Sequence, residues 1–127
     1  GQLYVAPVLY TEKLVARYQI SDSDLPFASE FLAQPIGYHS PGLQRVLNRM
    51  RGADWDFKYV LVVEKRHGEW HLGKLPKERG AKVEMVEGVV YTDLLDAERD
   101  IFKRRWKELT GQDVESLLAQ SSSEKVQ

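Results

Sequence analysis

Histidines are the side chains of this sequence best suited to hold a metal or move a proton near neutral pH, and there are three: His39, His67 and His71. His67 and His71 stand four apart, which on a helix would place them on one face. Gly68 lies between them, however, and the local pattern is that of a hairpin turn, so they flank the turn and need not converge. A metal centre would need His39 and a carboxylate to join them; the competing reading is three unrelated surface or capping histidines. The carboxylate pairs Asp54/Asp56 and Asp93/Asp96 suit turn and cap positions better than general acid–base work. No Gly-x-Ser-x-Gly elbow, P-loop or dinucleotide fingerprint occurs, and Ser121-Ser122-Ser123 lies in a polar tail that cannot preorganise a nucleophile. The absence of cysteine excludes thiolate catalysis, iron–sulfur clusters and a disulfide framework. The chain by itself does not read as an enzyme.

The most distinctive stretch runs from Gln34 to Arg51. A Gly37-Tyr38 turn leads through His39 into a helix with Ser40 as N-cap and Pro41 as first residue. Leu43, Val46, Leu47 and Met50 fall at i, i+3, i+4 and i+7 and form its apolar stripe. The opposite face is Gln44, Arg45, Asn48, Arg49 and Arg51, all amide and guanidinium. On a rigid helix such groups can make bidentate hydrogen bonds to carboxylates and backbone; plain solubility is the simpler alternative.

This segment resembles the light (small) subunit of N,N-dimethylformamidase. The residues that carry the resemblance are Pro35, Gly37, Tyr38, His39, Ser40, Pro41, Leu43, Gln44, Arg45, Val46, Asn48 and Arg51. It continues through Lys58-Tyr59-Val60 and Glu69-Trp70 and ends at Glu98, Phe102, Arg104 and Arg105, covering about residues 34–108. Residues 1–30 show no clear match, and the loop over 77–83 is longer and more basic than the family pattern. The resemblance implies a subunit without catalytic residues or cofactor of its own. A separate large chain would hold a mononuclear iron and hydrolyse the amide. The surface facing that chain is expected at the 36–51 turn and helix, through Tyr38, His39, Gln44, Arg45, Asn48 and Arg51.

The elements that must position these residues follow from periodicity. At 127 residues the chain suits one domain, expected over 1–118, with 1–10 as an extended arm and 119–127 as a disordered tail. Thr11 predicts a short helix to Tyr18 or Ile20, and the Ser21-Asp22-Ser23-Asp24 cluster caps a helix from about Leu25 that Pro35-Ile36-Gly37 stops. From Phe57 the period becomes two, returning through His67-Gly68 to a strand over Glu69–Leu75. A third strand is expected over Val83–Tyr91, with Gly88 as a kink. Thr92 or Asp93 caps a long helix ending at Gly111, and Val114–Ala119 adds a weak turn. The class is therefore α+β: a three-stranded antiparallel sheet, N-terminal helices and a long C-terminal helix packed on the sheet. The stripes Leu43/Val46/Leu47/Met50 and Leu95/Phe102/Trp106/Leu109 are expected to be buried against that sheet.

Formal charge is −1 overall but uneven: residues 43–79 carry nine basic and five acidic side chains, and both flanks are acidic. The hairpin over 57–75, with Lys65, Arg66, Trp70 and Lys74, supports a rival reading as a nucleic-acid- or protein-binding module. Its interleaved Glu64 and Glu69 argue for an ordinary solvated hairpin instead. No apolar run reaches the ~20 residues of a membrane span, and a cytoplasmic location is expected.

Overall fold

The computed structural model describes residues 18–63 and 68–126. A 3-10 turn at Asp22–Asp24 leads into α1 (Leu25–Ala33) and α2 (Pro41–Gly52). The strands β1 (Phe57–Val62), β2 (Trp70–Pro76) and β3 (Glu84–Tyr91) follow, then α3 (Leu94–Thr110) and α4 (Val114–Val126). The class is α+β, as the periodicity predicts. The expected arm over 1–10, residues 11–17 of the Thr11 helix, and Lys65, Arg66 and His67 lie outside the described residues. Tyr18–Ile20, to which that helix was expected to reach, are not helical.

Local chemistry accounts for the helix ends. Ser40 caps α2, its Oγ accepting from the Leu43 N–H at 3.2 Å, and Pro41 occupies the first position, where no donor is missed. Asp93 caps α3 by accepting from the Leu95 N–H at 2.9 Å. Gly111 ends α3 in the left-handed region, φ 77°, with its N–H on the Lys107 carbonyl, a geometry that glycine adopts without a Cβ penalty. Beyond it, α4 continues to Val126, well past the weak turn expected over 114–119 and across the stretch read as a tail. Asp113 explains its start: the carboxylate accepts from both the N–H and the hydroxyl of Ser116.

The sheet order is β1-β2-β3, antiparallel throughout, with Phe57 opposite Pro76 and Val62 opposite His71. The β2–β3 register shifts between His71 and Gly73, and Gly88 in β3 takes a positive φ, consistent with the expected kink. Inward-facing Tyr59, Leu61, Leu72, Val86 and Val89 meet Ala97 and Ile101 of α3. Leu75, Met85 and Val90 are exposed.

The burial expectation needs correction. Leu43, Val46 and Met50 are buried and Leu47 half-buried, but they pack with Ala28 and Phe31 of α1, Phe102 and Trp106 of α3 and Val114 of α4, not on the sheet. Phe102 and Trp106 share this helical core, whereas the sheet meets the neighbouring Ala97/Ile101 stripe. The long helix is thus covered on two sides, because α1 and α2 lie across it from the sheet. The Phe31 and Phe102 rings stack at 4.3 Å, with interplanar angle 14°. Phe102→Ala is expected to cost ~3–5 kcal/mol, the range for removing a buried aromatic, read as a fall in denaturant midpoint. A change within ~0.5 kcal/mol would place Phe102 outside the core.

Candidate functional site

The turn between α1 and α2 is braced from three directions. Glu30 of α1 accepts from the Ser40 N–H at 2.8 Å and from the Ser40 hydroxyl at 2.5 Å. His39 Nε2 lies 3.0 Å from the Pro35 carbonyl, and its ring is tilted against Phe31 at 5.9 Å. Gln44 Nε2 donates to the His39 carbonyl at 2.9 Å. These bonds hold a loop whose crest, Ile36 and Tyr38, faces solvent: Tyr38 is 80% and Ile36 55% exposed. Gly37 sits between them at φ 119°, which a side chain rarely adopts.

The six residues expected to face a partner are divided by the structure. Tyr38 stands outward on the crest, whereas His39 lines a cleft behind it. Gln44 serves the turn. Arg45 leaves this surface and lies over the Tyr18 ring at 5.1 Å. Asn48 Oδ1 accepts from Arg51 Nη1 at 3.4 Å, and Arg51 reaches the cleft mouth. Burial pushes the Tyr18 phenol up to about 12; the Asp24 carboxylate adds to this and Arg45 opposes it.

The cleft, about 460 Å³, lies between the α1–α2 turn, the C-terminal end of α2, β1 and α3. Residues distant in sequence meet there: Pro35, His39, Arg51, Lys58, Tyr59, Glu98, Phe102 and Arg105 all line it, together with Leu47, Met50, Trp55 and Ile101. The volume falls within the range of ordinary ligand pockets. One wall is organised by Arg105, whose guanidinium lies 4.1 Å from the Trp55 ring, 4.5 Å from Tyr59 and 5.5 Å from Phe57. Its Nη1 is 3.4 Å from Glu108 Oε2, and Glu108 also accepts from the Tyr59 hydroxyl. Burial holds the Arg105 guanidinium below its usual range and, with Glu108, pushes the Tyr59 phenol up to about 12. Trp55 is fixed by its indole N–H on the Met50 carbonyl at 2.6 Å.

Sequence reasoning gave Arg104 and Arg105 no role beyond carrying the family resemblance and overlooked Trp55. The available signal was the alternation of Trp55, Phe57 and Tyr59 with Asp56 and Lys58, which puts three rings on one side of an extended chain. Arg104 instead joins a second network, with Nε 2.9 Å from Asp100 Oδ2, which also accepts from Tyr91. Burial works against ionisation of Asp100, but the hydrogen bonds from Tyr91 and Arg104 hold its carboxyl below the usual range. On the rival hairpin surface, Trp70 packs into the sheet core and Lys74 lies over the Phe57 ring at 4.6 Å, so both are engaged internally.

Among the described residues no group of three or more His, Asp or Glu side chains is placed to hold a metal ion. Nor, among those residues, is any helix long and apolar enough to cross a membrane. Compared with known families, residues 16–116 match the model of the N,N-dimethylformamidase alpha subunit, extending the resemblance N-terminally into α1 and Tyr18. Among curated proteins, none matches the chain.

The Ser40 hydrogen bonds hold the Glu30 carboxyl below its ordinary range. A depressed carboxylate contributes stability that is fully present above the unfolded value, about 4.3, and is lost as pH falls through the folded one. Glu30→Gln should therefore melt below the wild type at pH 7, and the gap should narrow as the pH drops below the unfolded value. Ser40→Ala, which removes both the cap and a Glu30 donor, should cost ~1 kcal/mol. A pH-independent gap for Glu30→Gln would show that the carboxylate charge does not brace the turn.

Proposed function

The chain belongs to the N,N-dimethylformamidase alpha-subunit family, and from that premise we propose that it is the light, non-catalytic subunit of an amide-hydrolysing hetero-oligomer. It binds and stabilises a large chain that carries the iron and performs the hydrolysis on small amides. The observation that carries this reading is the α1–α2 turn: two large side chains, Ile36 and Tyr38, are held in solvent on a loop that Glu30, His39 and Gln44 brace. A rigid loop loses little further conformational freedom on binding, and an exposed tyrosine on one is a typical interface anchor. Asn48 and Arg51 extend the same surface as a polar rim.

Two outcomes test this. The purified chain should not hydrolyse N,N-dimethylformamide, and activity should appear on titration with the large chain. Turnover by this chain free of any large chain would overturn the proposal.

Tyr38→Ala should leave the melting temperature of the isolated chain unchanged, because the side chain is 80% exposed. The same substitution should raise the Kd for the large chain at least tenfold, about 1.4 kcal/mol. Calorimetry on the one variant reads both. Unaltered association would remove the turn from the interface.

A further inference from the structure

The cleft behind the turn has a charge pattern that the subunit role does not explain. Arg105 is offset by Glu108, but Arg51 and Lys58 at the mouth are not offset. Arg51 has only the Asn48 amide oxygen, at 3.4 Å, and Lys58 has no polar partner among the described residues. One carboxylate, Glu98, shares the cleft, and it forms no ion pair with either cation. Beneath them the floor is apolar, formed by Leu47, Met50 and Ile101. Both cations stand exposed beside apolar surface, so an occupant that carries a carboxylate next to an apolar group engages the charges and covers that surface at once.

Resting on the subunit reading, we propose that this cleft receives an acidic segment of the large chain. An Asp or Glu side chain seats between Arg51 and Lys58, and a neighbouring apolar or aromatic side chain covers the floor. Arginine adds a planar fork that matches a carboxylate in two hydrogen bonds. Glu98 argues for a peptide over a free acid, since it can accept a backbone N–H, which a simple carboxylate lacks. Position argues the same way. The cleft starts at Pro35 and His39, immediately beside the exposed Ile36 and Tyr38, so one partner can cover both surfaces without a break.

The full chain is titrated with two blocked dipeptides, acetyl-glutamyl-phenylalaninamide and its neutral glutaminyl counterpart, and with phenylacetate as a free carboxylate. Binding is read from the amide shifts of Arg51 and Lys58 and the indole shift of Trp55. The glutamyl peptide should bind at least fivefold more tightly than the glutaminyl one and than phenylacetate. That preference should vanish in the R51Q/K58Q double variant, whose unchanged melting temperature certifies its fold. The same variant should associate with the large chain at least tenfold more weakly, with a shallower salt dependence. No preference for the charged peptide, or a double variant that associates normally, would overturn the cleft proposal while leaving the subunit role standing. Phenylacetate binding as tightly as the glutamyl peptide would overturn the peptide occupant in favour of a small carboxylate. Failure of the unaltered chains to associate would instead overturn the subunit reading, and the cleft proposal with it.

Discussion

Burial of α3 on two sides is the constraint on which the structure depends. Phe102 and Trp106 face the helices, with Phe102 stacked on Phe31, while Ala97 and Ile101 face the sheet. Two stripes on one helix, offset by five residues and so roughly 140 degrees apart, make both sub-cores share a single rigid rod. Ala97 is fully buried, and a larger side chain there would push the sheet away. Because α1 and α2 dock on the far side of the same helix, the α1–α2 turn and the sheet are positioned by one element. The cleft between them is the gap left where neither layer covers α3 completely.

Electrostatics then fixes the shape of that gap. Arg105 is a nearly buried cation, with 11% of its side chain exposed, and it is stabilised by three ring faces and one carboxylate. Ring quadrupoles and Glu108 together replace the water it lost, so removing either would strand a desolvated charge. Its role is to pin β1 and the Trp55 loop to α3, and the walls of the cleft are rigid as a result. Glu30 does the equivalent work on the other side by tying Ser40 back to α1.

How much of this was legible in the sequence depended on the range of the interactions. Local rules sufficed for α2, whose Ser40-Pro41 start and Leu43/Val46/Met50 stripe are present as predicted, and for the existence of the three strands, although the period of two breaks in β3, where Val86 and Val89 both face inward across Gly88. They also placed Asp93 and Gly111 at the ends of α3. A stripe says which face of a helix is buried, but not against what, and so the sheet was wrongly expected beneath α2. The extent of α4 was missed because its composition is polar and its start rests on an Asp113–Ser116 capping contact. The cleft was not readable at all. Its members come from four separate segments, and Arg105 looks the same in sequence as any arginine on a solvated helix face.

The energetic logic of the α1–α2 turn supports a partner rather than solvent as its destination. Exposing Tyr38 and Ile36 gains the isolated chain nothing, since an apolar side chain in water is unfavourable by about 25 cal/mol for each Å² left uncovered. Ordering the loop around them costs backbone entropy as well, about 1–2 kcal/mol per residue fixed. A loop serving only to connect two helices could be flexible, polar and free of both costs. Here the Glu30, His39 and Gln44 hydrogen bonds offset the ordering within the fold, before any partner arrives. Preorganisation of this kind improves binding by reducing the entropy still to be lost. The polar bracing and the apolar crest are therefore two parts of one device, rigid on the inside and unsatisfied on the outside.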